Sequence, residues 1–123
     1  MKPSDVITMD AQKRGLNPKH VLVSVKAIIG QGGFILSQGN TVLLMQKLAS
    51  NVFAAHLFTQ DPPLSLSKAL VTFFHQMQGK GIHRIYGDAD NQEIIGLLKQ
   101  LGQREGVQVL PSDQPKYNWM IEL

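Results

Sequence analysis

The stretch IHRIYGDADNQEIIGLLKQLG, residues 82–102, decides how the chain folds. Residues 82–86 favour β-structure and lie between two glycines, which predicts a buried strand. A polar turn follows, and either Asp90 or Asn91 can cap a helix. The apolar residues beyond it recur with the period of a helix: Ile94, Ile95, Leu97, Leu98 and Leu101. We therefore predict a strand, a short loop and an amphipathic helix that ends at Gly102. Any chemistry in such a unit belongs at the carboxyl end of the strand.

The size of the chain predicts one domain, residues 1–123. Folding at this length removes about two thirds of the chain's surface from water, so neither a metal nor a disulfide is needed to hold a core. There is no cysteine, which excludes a disulfide framework, a thiol nucleophile and thiolate metal sites. The four histidines show no metal-ligand spacing, so we expect no metal cofactor.

Charge and hydropathy narrow the class of partner. The formal net charge is +3, and the basic residues are scattered rather than blocked, which argues against a nucleic-acid partner. No apolar run is long enough to span a membrane, and the N-terminus lacks the apolar core of a signal peptide. We expect a cytoplasmic protein, or one carried in a virion, with no membrane partner.

The rest of the chain divides into an N-terminal helical part, residues 1–30, a β-meander, residues 34–59, and an α/β part, residues 60–123. A first helix over residues 4–14 has few apolar residues, so we expect it on the surface. Asn17 and Pro18 favour a second helix start, although the alternating valines at 21, 23 and 25 also permit a strand.

Three strands at 34–37, 41–48 and 52–59 are joined by short turns, and the prolines at 62 and 63 end the third. Ser65 or Ser67 then caps a helix that reaches about residue 78. Strands at 107–110 and 117–123 complete the order α-α-β-β-β-α-β-α-β-β. This order predicts an α/β domain, a mixed sheet flanked by helices with a parallel crossover between the third and fourth strands.

This order resembles the GNAT superfamily of acyl-CoA-dependent N-acyltransferases. The helix after a central strand of that family commonly begins with Asn, carries a small or apolar residue three positions later and an aromatic residue midway, and ends at Gly followed by Phe. The corresponding positions here are Asn91, Ile94, Leu98, Gly102 and Gln103. The Asn and the Gly match, whereas both aromatics are missing. The resemblance implies a GNAT-like fold, and Leu98 stands where a general-acid Tyr is often found.

The resemblance also implies acetyl-CoA as the cofactor, held by a loop of the type Q/R-x-x-G-x-G/A. The glycines of such a loop let backbone N–H groups turn toward the pyrophosphate. Residues 59–67 here, TQDPPLSLS, contain no glycine, two prolines and the acidic Asp61. Acetyl-CoA binding is therefore doubtful. If it binds, we predict contacts with five residues: Phe58, Thr59, Ser65, Ser67 and Asn91.

His56 and Tyr86 are the candidate catalytic residues. The resemblance places a substrate-side base on the strand that holds His56, whose unperturbed pKa suits that role. Tyr86 is a substitute general acid, and core packing is its alternative. Asp88 and Asp90, with Asn91, could bind a cationic amine or a metal, or could simply form the turn and cap the helix. The row of Tyr117, Trp119 and Ile121 along the last strand belongs to the core, to a partner-facing patch or to a ligand-stacking surface.

Two functions remain open. The first is a non-catalytic GNAT-like protein that acts as a binding or assembly component, with a protein partner or as a homo-oligomer. Small GNAT-like proteins of this sort occur in bacteriophage genomes, so the resemblance allows a virion-associated structural protein. The alternative is an active acetyl-CoA-dependent N-acetyltransferase on a small amine or a protein amine, with His56 as base.

Overall fold

The computed structural model describes residues 1–89 and 92–123, and its elements follow the predicted order. The helices are α1 Pro3–Lys13, α2 Pro18–Gly30, α3 Pro63–Gly79 and α4 Gln92–Glu105. The strands are β1 Phe34–Gln38, β2 Thr41–Ala49, β3 Val52–Thr59, β4 Arg84–Gly87, β5 Val109–Pro111 and β6 Trp119–Glu122. The second segment is a helix, since Asn17 Oδ1 accepts from the Lys19 N–H at 3.0 Å and Pro18 occupies the first turn.

The six strands form one mixed sheet in the order β1-β2-β3-β4-β6-β5. β3 and β4 are parallel, as predicted, and every other pair is antiparallel. The β3–β4 pairing runs only from Val52 opposite Arg84 to Ala55 opposite Gly87. Beyond that point β3 continues for four residues, 56–59, while the chain leaves β4. The sheet is therefore split at the carboxyl ends of its two parallel strands.

Helices cover both faces of the sheet. The larger core lies on the side of α3 and α4, where Phe73, Ile85, Leu101 and Ile121 are fully enclosed. A smaller core lies on the side of α1 and α2. Its buried members are Val6, Ile7, Val25, Val42 and Leu44. Burial of apolar surface on both faces stabilises the split sheet, although beyond Ala55 β3 pairs only with β2 and no longer with β4.

The prediction that the first helix lies on the surface is wrong. α1 buries Val6, Ile7, Asp10 and Ala11 against the sheet. This i, i+1, i+4, i+5 spacing is enough for a buried stripe. The prediction counted apolar residues and so missed Asp10, which is buried because the protein supplies its polar partners.

The start of α3 differs from the prediction as well. The helix begins at Pro63, with Pro62 as the N-cap, so Ser65 and Ser67 lie inside it. The fixed φ of proline suits the first helical position, and its missing N–H costs nothing there. The predicted inner face is confirmed, since Leu66, Leu70, Phe73 and Met77 are buried.

Gly102 was predicted to end the last helix, but α4 continues to Glu105. Gly106, with φ +71°, takes the left-handed position after the helix. Gly102 is buried, and a Cβ there would overlap the carbonyl oxygen of Val107. Close approach of the following chain, not helix termination, therefore requires this glycine. The predicted caps Asp90 and Asn91 lie outside the described residues.

The strand boundaries shift by a few residues. β4 begins at Arg84, and Ile82 is buried ahead of it. Trp119 and Ile121 belong to the core, as one of the three interpretations expected. Tyr117 lies outside β6 and stacks on Tyr86, with ring centroids 5.4 Å apart.

Candidate functional site

A cleft of about 750 Å³ opens where β3 and β4 separate. Its walls come from both faces of the sheet, so the cleft passes through the split. Its α1/α2 side is lined by Arg14, Leu16, His20, Val21, Ser24, Val25, Ile28, Leu44, Gln46, His56 and Phe58. Its α3/α4 side is lined by Leu43, Ala55, Leu57, Leu70, Ile94, Leu98 and Trp119, and Asp88 and Ala89 come from the segment after β4. Mostly apolar walls with a few polar groups are typical of small-molecule sites.

His56 is the titratable group deepest in this cleft. Its Nε2 lies 3.0 Å from Gln46 Oε1 on the neighbouring strand. Burial lowers the pKa of His56 from its ordinary value, and the negative charge of Asp88 partly opposes that shift. When Nε2 carries the proton it donates to Gln46, and Nδ1 is left as a proton acceptor. Because its pKa is lowered from the ordinary value of 6.5, the imidazole is mostly neutral at pH 7.

Asp88 is the first residue after β4 and is exposed at the cleft. It makes no ion pair with any residue in the described ranges 1–89 and 92–123. The pKa of the nearby Tyr117 is raised, mainly by burial and also by the charge of Asp88. Asp88 is therefore an available negative charge beside His56 and Tyr117.

The edge of β3 that the split leaves without a strand partner is closed by α1. Arg14 Nη2 donates to the carbonyl oxygen of Leu57 at 2.9 Å. The N–H of Thr59 donates to Asp10 Oδ2 at 3.1 Å. Arg14 Nε lies 2.7 Å from Asp10 Oδ1, so the two side chains form one ion pair along the edge. Two backbone groups that a ligand could use on this edge, the Leu57 carbonyl and the Thr59 N–H, therefore already have partners.

The loop between β3 and α3 is held by its own side chains. Asp61 Oδ2 accepts from the Asn40 N–H at 3.0 Å and from Thr41 Oγ1 at 2.7 Å. The hydroxyl of Thr59 accepts from the Asp61 N–H at 3.0 Å and is 2.7 Å from Thr41 Oγ1. This network places a carboxylate in the turn where the resemblance implies a pyrophosphate. The residues present do not fit acetyl-CoA.

The residues predicted to contact the cofactor are dispersed. Phe58 lines the cleft, and the Thr59 hydroxyl is used in the turn. Ser65 is exposed and Ser67 half-buried on α3, and neither belongs to the described lining. Asn91 lies outside the described residues. Their roles stay predictions.

Of the two candidate catalytic residues, the structure brings only His56 to the described wall of the cleft. Tyr86 is 3% exposed. Its hydroxyl donates to Asp113 Oδ1 at 2.6 Å and accepts from Arg84 Nη1 at 3.3 Å. Leu98 is buried and lines the cleft, so an apolar side chain occupies the position of the family's acid.

Sequence reasoning missed Asp10, Arg14 and Gln46. The i, i+4 spacing of Asp10 and Arg14 was a visible signal for an ion pair on one helix face. Nothing in that spacing indicated the strand edge that the pair would meet. Gln46 becomes a partner of His56 only through the β2–β3 register, in which Leu44 lies opposite His56.

Among residues 1–89 and 92–123, no group of three or more His, Cys, Asp or Glu side chains is arranged to hold a metal ion. Within the same residues, no helix has the length and apolarity needed to cross a bilayer.

The lowered pKa of His56 predicts a pH-dependent stability. In the unfolded chain this pKa is about 6.5, so as pH falls the unfolded state takes up the proton first. The contribution of neutral His56 to the free energy of unfolding is therefore complete above about pH 6.5. It is lost as pH falls toward the pKa of His56 in the folded state. Urea unfolding at several pH values should show a steeper loss for the wild type than for His56→Gln. Parallel curves would contradict the buried, neutral imidazole.

No protein-family model matches the sequence, and no curated protein is significantly similar to it. Solved structures do match. An acetyltransferase of the GNAT family from Staphylococcus aureus is 14% identical with a TM-score of 0.56, covering 94% of this chain and 85% of that one. Tetrahymena GCN5 is 11% identical with a TM-score of 0.55, covering 97% and 82%. A ribosomal-protein-alanine N-acetyltransferase from Brucella melitensis is 8% identical with a TM-score of 0.54, covering 88% and 78%. At these identities the likeness concerns the fold, and it agrees with the split mixed sheet: the chain has the fold of the GNAT acetyltransferases.

Proposed function

We propose that this protein is a non-catalytic binding protein built on the GNAT fold, with the cleft as its ligand site. One observation carries the proposal. The Asp10–Arg14 pair occupies the Leu57 carbonyl and the Thr59 N–H, on the edge of β3 that faces the split. A cleft remains, but its backbone edge is not available to an acyl carrier.

The physical reason is the chemistry of coenzyme A. Its pantetheine arm is extended and carries two amides, and such a chain binds a free strand edge through main-chain hydrogen bonds. Binding here would have to displace a guanidinium and a carboxylate that already satisfy that edge. Asp10 is 6% exposed, so the displaced carboxylate would lose the Thr59 N–H as its backbone donor in a buried place.

The phosphate end of the cofactor meets a second obstacle. The turn before α3 holds Asp61 in place through two hydrogen bonds to the β1–β2 hairpin. Its carboxylate repels an anion, and Pro62 and Pro63 provide no N–H donors. Two separate parts of an acyl-CoA site are therefore unsuited to their ligand.

We expect acetyl-CoA to give no saturable heat in calorimetry up to about 1 mM. The folded state of the same sample is checked by circular dichroism, and coenzyme A without the acetyl group serves as the matched ligand. A micromolar dissociation constant for either compound would contradict the proposal.

A second candidate is N-acetyl transfer to an amine. The lowered pKa of His56 and the carboxylate of Asp88, which forms no ion pair within the described residues, favour it, because together they suit a base and a binding group for a cationic acceptor. Incubation with acetyl-CoA and spermidine or a lysine peptide, followed by mass spectrometry, tests this candidate. Product that disappears with His56→Gln would establish the enzyme and remove the binding-only function.

The binding role extends, in our proposal, to assembly with a protein partner or with further copies of the chain, including in a bacteriophage particle. The support for this extension is the resemblance and not a contact in the structure. Light scattering tests the self-association. A mass of 13.6 kDa at all concentrations would exclude a homo-oligomer and leave assembly with a different protein as the remaining alternative.

A further inference from the structure

Trp119 places a hydrogen-bond donor without a partner beside the cleft. The residue is 8% exposed, and its Nε1 is buried with no hydrogen-bond partner among residues 1–89 and 92–123. Buried indole N–H groups usually have a partner, because an unpaired donor keeps the cost of leaving water. An unpaired donor in the wall of a ligand site therefore indicates that a ligand would supply a hydrogen-bond acceptor.

The register of the sheet locates this donor. Ala55, Gly87 and Trp119 lie side by side across β3, β4 and β6. A Cβ at Gly87 would overlap the indole atoms Cζ2 and Cε2, so the indole lies directly on Gly87. Nε1 is bonded to Cε2 and therefore lies where β4 ends and the split begins.

The surroundings of the indole are apolar. On this side of the sheet the cleft wall consists of Leu43, Ala55, Leu57, Leu70, Ile94 and Leu98 together with Trp119. None of those other six side chains has a polar atom, so the indole N–H is the only side-chain hydrogen-bonding group of this described wall. We call this part of the cleft the indole lobe.

We propose that the indole lobe binds a small neutral molecule with an apolar body and one carbonyl oxygen, and that Trp119 Nε1–H donates to that oxygen. The inference rests on the proposed function, because it names the ligand class of the same cleft. A charged group is disfavoured in the lobe because none of the described side chains of its wall would pair with it after its transfer from water.

Nε1 is shielded from water, so a ligand that reaches it has to displace a side chain of the wall. Ile94, in the first turns of α4, is only half-buried, whereas Leu98 and Leu70 are buried. We expect the Ile94 side chain to move aside on binding, so that the apolar body of the ligand takes its place against the indole.

The chain contains one tryptophan, so the indole N–H gives a single ¹⁵N–¹H resonance that reports on the lobe. The probe is hexanamide, titrated into the full chain to about 20 mM. We expect a saturable shift of the indole resonance with a dissociation constant of about 1 mM, in keeping with a ligand of this size. Hexanoate and hexylammonium, with the same chain and opposite charges, should bind more weakly.

Two variants test the N–H donor of Trp119 and the space in the indole lobe separately. Trp119→Phe removes the N–H and should weaken hexanamide binding about fivefold to tenfold, read from the backbone amides of Ala55 and Leu57. Ile94→Phe keeps the donor but narrows the lobe, and should abolish saturation of the indole shift.

Three results would overturn the assignment. They are an unmoved indole resonance at the highest hexanamide concentration, equal affinity in Trp119→Phe, and tighter binding of hexylammonium than of hexanamide. The last result would favour the amine site near Asp88. Acetyl-CoA binding is measured separately, so failure of the ligand class and failure of the proposed function are distinct outcomes.

Discussion

Gly87→Ala is expected to lower the free energy of unfolding by about 3 kcal/mol or more, through forced overpacking of the core. The added Cβ would overlap three atoms of the Trp119 indole. A core at crystal-like density has no room to absorb this overlap by a small shift. The indole would have to leave Gly87, which disturbs the contacts that Trp119 makes within the α3/α4-side core. Urea unfolding followed by circular dichroism measures the change.

Gly96→Ala is the matched control on α4. A Cβ at Gly96 would meet open space among the described residues outside its own helix backbone, and the position lies inside the helix. Alanine is the better helix former there, so the same substitution should raise stability by about 0.5 to 1 kcal/mol. In a Trp119→Ala background, Gly87→Ala should cost almost nothing further. A similar loss for Gly87→Ala with and without the indole would contradict the packing explanation.

Much of the fold could be predicted from local patterns. The helix period from Ile94 to Leu101 and the inner face of α3 depend on neighbours in sequence, and both are confirmed. The proline at position 18 and the cap at Asn17 are also local signals. The parallel β3–β4 pairing followed from the strand–helix–strand order, because such a unit joins two parallel strands by a crossover.

The candidate site could be predicted only in part, because it depends on contacts between distant segments. Asp10 meets Thr59 across 49 residues, and Arg14 meets Leu57 across 43. A sequence pattern cannot reveal which strand edge a helix will cover. Gly102 shows the same limit. In the sequence it looks like a glycine that ends a helix, whereas in the structure it allows the Val107 carbonyl to come close.

Arg14→Ala is expected to lower the free energy of unfolding by about 2 to 3 kcal/mol, and Asp10→Ala by about 1 to 2 kcal/mol. The asymmetry has a physical cause. The side chain of Arg14 is about half exposed, whereas that of Asp10 is 9% exposed. Removing Arg14 leaves a buried carboxylate without its counter-charge. Removing Asp10 leaves Arg14 hydrated and orphans only the Thr59 N–H.

The double variant should cost less than the sum of the two single losses, because each single variant already breaks the same ion pair. Denaturant unfolding of the wild type and the three variants completes the thermodynamic cycle. Additive losses would show that the two side chains stabilise the protein independently and do not act as one unit on the strand edge.

The same double variant tests why the cleft excludes an acyl carrier. Without Asp10 and Arg14, the Leu57 carbonyl and the Thr59 N–H are free to pair with an amide-bearing arm. S-acetylpantetheine has this arm and no phosphate, so the turn around Asp61 does not repel it. We expect it to bind the double variant with a dissociation constant of about 1 mM and to leave the wild type unchanged in a backbone amide titration. Equal binding to both proteins would show that the Asp10–Arg14 ion pair does not prevent the arm from binding. Of the two obstacles to acetyl-CoA proposed here, only the turn around Asp61 would then remain.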